Sequence, residues 1–315
     1  MVIFTQMLGF LLMMAMGLVA RRANILTPEV LPRVSALVAN VTFPCMIVAS
    51  FAGATERMGL AEAGVAFATF AVLVAVLVAG GMLLPRLLGY PRHLRPCANL
   101  CFWLTNIGYM GMALLSAAYG ERAQVYVMLY LVPSNLMLYT YAIWLLRRGA
   151  SIEGGDDAEA ASSGMSLRGM VNPGVVTTVA GAILYFAGAT LPEALLMPLE
   201  RLGNVTVPLA MMVAGAQLAD VSFRDMLLDW RLLVFCAIKM LAMPVAVLLV
   251  LRPFVADVDL FACSMAVLSM PTGVLVSSLS LLYQPNAARQ ATSIVALTTV
   301  MSAITVPLVC LAVGL

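Results

Sequence analysis

Apolar residues in this chain run in long blocks that short polar connections separate. The blocks lie near 2–20, 31–52, 61–85, 97–118, 124–146, 171–190, 195–218, 230–251, 260–282 and 289–313, each 19 to 25 residues long. About 20 apolar residues in a helix cross a hydrocarbon core of roughly 30 Å, whereas a membrane β-barrel writes short alternating segments. The pattern therefore predicts an all-α membrane protein of ten transmembrane helices. One long polar segment interrupts it, with Gly154, Gly155, Asp156, Asp157, Glu159 and a Ser-Ser-Gly. Such a composition cannot bury a core, so it predicts a flexible linker over 147–170 between a first unit, 1–146, and a second, 171–315.

The two units repeat one another. Asn-Val-Thr-Phe-Pro at 40–44 returns as Asn-Val-Thr-Val-Pro at 204–208, 164 positions later, and Tyr119 returns as Tyr283 at the same offset. A proline inside a helix cannot donate to the carbonyl four residues back, so each copy pairs a helix defect with a polar amide. The fourth and ninth runs carry a second pair of interruptions, Thr105-Asn106-Ile107-Gly108-Tyr109-Met110-Gly111 and Met270-Pro271-Thr272-Gly273, with Gly108 and Gly273 165 apart. Five crossings per unit is an odd number, so the second unit runs inverted relative to the first.

Composition and charge narrow the class. The chain of 315 residues is 63% hydrophobic and 10% charged, with a mean hydropathy of +1.02, far from soluble domains. A net charge of +2 with arginines at the ends of apolar runs suggests no nucleic-acid partner. The six cysteines fall in or beside apolar runs, and His93 is the only histidine, so neither a disulfide framework, a metal site nor a cofactor is expected. No basic region precedes the first run, which reads as a retained span rather than a signal peptide. Twelve arginines border the odd-numbered connections (21, 22, 33, 86, 92, 95, 147, 148, 168, 224, 231 and 289) against three at the even ones (57, 122 and 252). The excess puts the odd connections in the cytoplasm and both termini outside.

Corresponding interrupted helices in two inverted halves point to a transport site near the bilayer midplane. A broken helix presents unpaired N–H groups with partial positive charge, suited to a carboxylate or another anion. Asn106, Gly108, Tyr109 and Gly111 in the first break, and Pro271, Thr272 and Gly273 in the second, are the leading substrate-binding candidates. The packing alternative is that Gly108 and Gly111 only allow close helix approach. Asn40 and Asn204 either line the same cavity or bond neighbouring backbone as interhelical glue. Lys239, the only lysine, sits mid-span, too deep to reach the interface. It pairs with a substrate carboxylate, stands where a transporter would otherwise hold a cation, or is capped by carbonyls for structure. Nothing in the chain has nucleophile, base and orienter together, so an enzyme is not expected.

With those residues in hand, the sequence resembles the auxin efflux carrier family, which includes the plant PIN-type carriers and bacterial permeases for small organic acids. The matching stretches are Gly-Leu-Val-Ala-Arg-Arg-Ala-Asn-Ile-Leu-Thr-Pro (17–28), Asn-Val-Thr-Phe-Pro, Asn-Ile-Gly-Tyr-Met-Gly, and Asn-Val-Thr-Val-Pro-Leu-Ala followed by Gly215-Ala216-Gln217-Leu218-Ala219. Pro271-Thr272-Gly273 and the following Tyr283 complete them. The resemblance implies two inverted five-helix repeats, also similar to bile-acid sodium symporters, with helices four and nine crossing at broken centres. It further implies an elevator-like domain moving against a scaffold that includes spans one, two, six and seven, with the anion beside Asn106, Gly108, Pro271 and Thr272. Span four departs from the plant pattern in having no proline at its break, and the central linker is short.

The expectation is a secondary transporter of a small organic anion, a mono- or dicarboxylate, in the plasma membrane, or the inner membrane of a bacterium. Protons and sodium are the candidate coupling ions, the lipid bilayer is a partner, and a homodimer is a candidate assembly. The reading of another class is a non-transporting receptor or sensor for such an anion, which the short linker disfavours. The arginine distribution carries a direct test of orientation: a reporter fused to the C-terminus reads as external, and a cytoplasmic readout overturns the topology.

Overall fold

The computed structural model describes residues 2–154, 173–219 and 221–313, and the structural statements below concern these residues. They form fourteen helices: α1 (Val2–Arg22), α2 (Val30–Gly53), α3 (Leu60–Leu87), α4 (Arg95–Trp103), α5 (Ile107–Tyr119), α6 (Glu121–Gly154) and α7 (Pro173–Phe186) in the first part. There follow α8 (Glu193–Asn204), α9 (Thr206–Leu218), α10 (Phe223–Leu228), α11 (Trp230–Leu251), α12 (Val258–Ser269), α13 (Leu275–Tyr283) and α14 (Ala288–Val313). No strand occurs among the described residues; the sole extended contact is an isolated antiparallel bridge between Thr105 and Thr272. Six helical stretches are long and apolar enough to cross a membrane unaided, and shorter apolar helices accompany them. Their outward faces carry lipid-compatible stripes, Phe4, Leu8, Leu12, Met16 and Val19 along α1 and Val300, Ile304, Leu308 and Leu311 along α14.

The fourth and ninth runs are broken where the sequence places polar and small residues. Leu104 to Asn106 separate α4 from α5, and Met270 to Val274 separate α12 from α13. The Asn-Val-Thr-x-Pro copies differ from each other. In α2 the helix stays continuous and widens to a π turn over Val38–Thr42, so that the Phe43 N–H reaches the Val38 carbonyl and the ring of Pro44 is accommodated. In the second copy the chain instead parts at Val205 between α8 and α9, two residues before Val207 and three before Pro208.

The segment predicted as a linker from 147 is helical in its first eight residues, to Gly154. Helix α6 continues through Arg147 and Arg148 to Gly154 because both guanidinium groups lie over aromatic rings, Arg147 at 5.4 Å from the Tyr283 centroid and Arg148 at 5.2 Å from that of Trp144. The rest of the predicted linker, 155–170, lies outside the described residues.

Packing divides the helices into two groups. Helices α1 and α2 pack most heavily with α7, α8 and α9, and α3, α4, α6, α11, α12, α13 and α14 with one another around Trp103, Phe70, Phe102, Tyr126 and Phe235, while α7 on α6 and α14 on both α1 and α9 join the two groups. At one end of the second group Arg122 of α6 donates to Glu62 of α3 at 2.5 Å and to Asp257 at the start of α12 at 2.9 Å, and the Tyr126 hydroxyl bonds both carboxylates. In the first group α1 crosses α9 with backbones nearly touching, since a β-carbon on Gly17 would overlap the Met212 backbone and one on Gly215 that of Met14. Small residues at a membrane helix crossing gain dispersion contact that lipid cannot replace. Gly215→Ala is expected to destabilise the protein by on the order of 1–3 kcal/mol, the usual cost of overpacking, read as a lower melting temperature in detergent.

Candidate substrate site at the helix crossing

Where the two broken helices meet, the backbone of each satisfies the other. The Asn106 N–H donates to the Pro271 carbonyl at 2.7 Å and the Gly273 N–H to the Leu104 carbonyl at 2.9 Å, the two bonds flanking the Thr105–Thr272 bridge. Thr272 secures the joint from behind: its Oγ1 donates to the Cys101 carbonyl at 2.7 Å and its N–H to Thr298 Oγ1 at 3.2 Å. The Phe102 carbonyl, next in line at the end of α4, accepts from Lys239 Nζ at 2.8 Å.

The start of α5 is different. Asn106 is its N-cap and its carbonyl accepts from Met110 and Gly111, yet its side chain does not cap the helix. The first-turn N–H groups of a helix have no partner within it, and they carry the positive end of its dipole. Beside them lies a small cavity of about 50 Å³, lined by Thr105, Asn106, Gly108, Tyr109, Tyr130, Ser134, Asn135, Gly273 and apolar side chains. Asn106 Nδ2 and the Tyr109 hydroxyl are buried with no protein partner. The hydroxyls of Thr105 and Ser134 flank that of Tyr130 without reaching hydrogen-bond geometry. The cavity thus borders a helix start and several side-chain donors that have no protein partner.

Gly108 admits the Phe43 ring against the cavity, since a β-carbon there would stand 3.1 Å from it, and Phe43 in turn meets Tyr109 edge-on with centroids 4.9 Å apart. Two larger cavities flank the central one. One of about 530 Å³ is lined by Ser35, Ala39 and Asn40 of α2, Leu138 and Tyr139 of α6, Gln217, Ser277 and Arg289, and it shares Leu138 and Leu275 with the central cavity. The other, about 230 Å³, is lined by Met46, Ser50, Gly53, Glu121, Gln124, Met128, Glu200 and Asn204. The buried side chains of Phe43, Met46, Met128 and Leu131 stand between it and the centre.

Of the residues singled out from sequence, Asn106, Gly108, Tyr109 and Gly273 line the central cavity. Asn40 and Asn204 lie in opposite flanking cavities, both exposed, and do not meet. Pro271 and Thr272 hold the joint together, Gly111 is buried beside Ile107, and Lys239 lines none of these three cavities. Sequence reading missed Thr105 as a separate donor, Tyr130, Ser134, Asn135 and Phe43. The signal for two of them was available: Ser134 and Asn135 directly follow Pro133 inside an apolar run.

A many-helix membrane protein whose paired broken helices border a small central cavity has the architecture of a solute carrier. The chain belongs to the membrane transport protein family, the auxin efflux carrier family, whose model matches residues 2–310. No curated relative matches the chain significantly.

The two kinds of polar group at the crossing predict opposite phenotypes. Asn106→Ala removes a donor with no protein partner, so it is expected to weaken anion binding roughly ten- to a hundredfold, the worth of a hydrogen bond to a charged group, with the melting temperature retained. Thr272→Val breaks an internal bond and leaves the Cys101 carbonyl bare. It is expected to cost about 1–3 kcal/mol of stability, with a smaller effect on the affinity of the folded protein. Binding calorimetry paired with thermal unfolding separates the two.

Proposed function

We propose that the chain is a secondary transporter that carries a small organic anion, a mono- or dicarboxylate, across the membrane by alternating access. The observation that carries this reading is the alignment of three cavities along two helices. Following α2 from Ser35 through Phe43 to Gly53, and α6 back from Tyr139 through Ser134 to Glu121, one passes from the 530 Å³ cavity through the donor-lined centre to the 230 Å³ cavity. Such a string is a path with a binding station in its middle. The central cavity suits a carboxylate head at the start of α5, with the rest of the molecule extending into the adjoining larger cavity.

In this reading α4 with α5, and α12 with α13, each make one crossing in two halves, because 12 and 9 residues are separately too short for a helix that needs about 20. With α8 and α9 likewise making one crossing and the six-residue α10 none, ten crossings result, the second five inverted relative to the first, with both termini outside. The larger cavity then faces the cytoplasm, on the side of the arginine-rich connections, and the layer of Phe43, Met46, Met128 and Leu131 closes the path outward. An elevator mechanism has support in the two packing groups. The group that holds the crossing would move against α1, α2, α7, α8 and α9, whose spans are those the resemblance assigns to the scaffold.

Purified protein in liposomes tests the function. The expected result is saturable uptake of a small radiolabelled carboxylate that Asn106→Ala abolishes or strongly reduces. Intact protein that binds carboxylates but moves none of them is instead a receptor, and overturns the transport reading.

A further inference from the structure

We propose that the cavity enclosed by the connections α3 to α4, α9 to α11 and α13 to α14 is a second anion site, separate from the helix crossing, which takes a phosphate group carried by a lipid or by a soluble phosphoester.

The cavity measures about 380 Å³, within the size range of small-molecule sites. Segments far apart in the chain build it: Tyr90 and Leu94 from the first connection, Met226 and Asp229 from the second, Arg289 and Gln290 from the third. All three are odd-numbered, arginine-rich connections of the sequence, and the fold gathers them around one space. Two guanidinium groups, Arg231 and Arg289, line it. Arg231 is fixed in place, because its Nη1 donates to the Gly89 carbonyl at 3.2 Å and its guanidinium carbon lies 5.8 Å from the centroid of the Trp230 ring. The one carboxylate in the lining, Asp229, caps α11: its Oδ1 accepts from the N–H groups of Arg231 and Leu232. The helix start is therefore occupied, and the lining keeps a net positive charge.

An unsatisfied amide faces the same space. Both Nε2 and Oε1 of Gln290 are buried without a protein hydrogen-bond partner, although the Tyr90 phenol lies beside them. A buried amide left in that state costs free energy, which the oxygens of a ligand recover. Two guanidinium forks and an amide donor match a tetrahedral oxyanion, whose several oxygens accept in pairs. Next in sequence to Met226 and Asp229 stand Leu227, Leu228 and Trp230, all exposed, the apolar and indole side chains of a membrane interface. Basic pockets among helices at that level are where anionic headgroups bind.

The cavity is not isolated from the path. Arg289 and Val221 also line the 530 Å³ cavity, so an anion that grips Arg289 takes hold of part of the wall of that cavity. It also ties α11 and α14 to the connection that leads from α9, across the two packing groups. The consequence for transport rests on the reading above; binding does not.

The test melts full-length protein in detergent while inorganic phosphate replaces chloride at constant ionic strength and pH, and again in mixed micelles where phosphatidylglycerol replaces phosphatidylcholine. One or both replacements are expected to raise the melting temperature of wild type saturably, the shift growing with the logarithm of concentration. A response to inorganic phosphate assigns the site to soluble ligands, and a response to the lipid alone assigns it to a headgroup. Arg231→Gln and Gln290→Leu are each expected to raise the half-saturating concentration about tenfold or more. Arg224→Gln, an exposed arginine of α10 outside the lining, and Asn106→Ala, at the crossing, are expected to keep the wild-type response. Should Arg231→Gln not fold, Gln290→Leu reads the same site, since it removes an amide that bonds nothing in the protein. No response to either ligand overturns the proposal, as does a response that both Arg231→Gln and Gln290→Leu leave intact, or one that Arg224→Gln or Asn106→Ala abolishes. In liposomes the stabilising ligand is expected to lower wild-type carboxylate uptake severalfold and to leave that of Arg231→Gln unchanged; wild-type uptake indifferent to it overturns the link to the path. Absence of uptake in every condition counts against the transport reading, and the melts then judge the site.

Discussion

A helix that stops in the middle of a membrane leaves carbonyls and N–H groups where water cannot reach them, and each such group left bare costs several kcal/mol. The centre of this protein is an answer to that constraint applied twice. The two breaks are set against each other so that Asn106 and Gly273 donate across to Pro271 and Leu104, which turns four orphaned groups into two short bonds. Thr272, Thr298 and Lys239 dispose of those that remain at the end of α4 and in the second break.

The answer is incomplete in one place, and that is where ligand chemistry is concentrated. The start of α5 keeps its first-turn N–H groups, with Asn106 Nδ2 and the Tyr109 hydroxyl beside them. A fully satisfied crossing would be a stable joint with nothing to bind. A joint with surplus donors on one side only leaves polar groups free there for a ligand. The asymmetry also separates roles that share one stretch of chain: Thr105 and Asn106 face the cavity, while Thr272, their counterpart across the bridge, faces backwards into structure.

The surroundings of this joint pack in two different ways. Residues Gly17 and Gly215 bring α1 and α9 together almost backbone to backbone, a contact with little tolerance for sliding. Around the crossing the contacts are those of large side chains, Phe43 on Tyr109 and Phe102 on Phe235, which can repack by changing rotamer. The π turns in α2, α5, α6 and α11 put extra residues into helices around the crossing, and each re-aims the side chains of the turn that follows.

The order of apolar and polar residues by itself determined the helices, the membrane setting and the positions of both central breaks. Hydrophobic length sets the first two, and proline, glycine and asparagine within an apolar run mark the third. The 164-residue offset drew Asn40 and Asn204 as partners, but they end in different cavities, since a repeat in sequence fixes equivalence between halves and not contact. An offset of 165 paired Gly108 with Gly273, whereas the backbone bridge sets Thr105 opposite Thr272, a register that only the crossing geometry selects. Tertiary structure alone brought Ser134 and Asn135 of α6 to Asn106, and gave Lys239 its hydrogen-bond partner at the end of α4. Local pattern decides where a chain must break; which freed groups find a partner depends on helices that arrive from more than a hundred residues away.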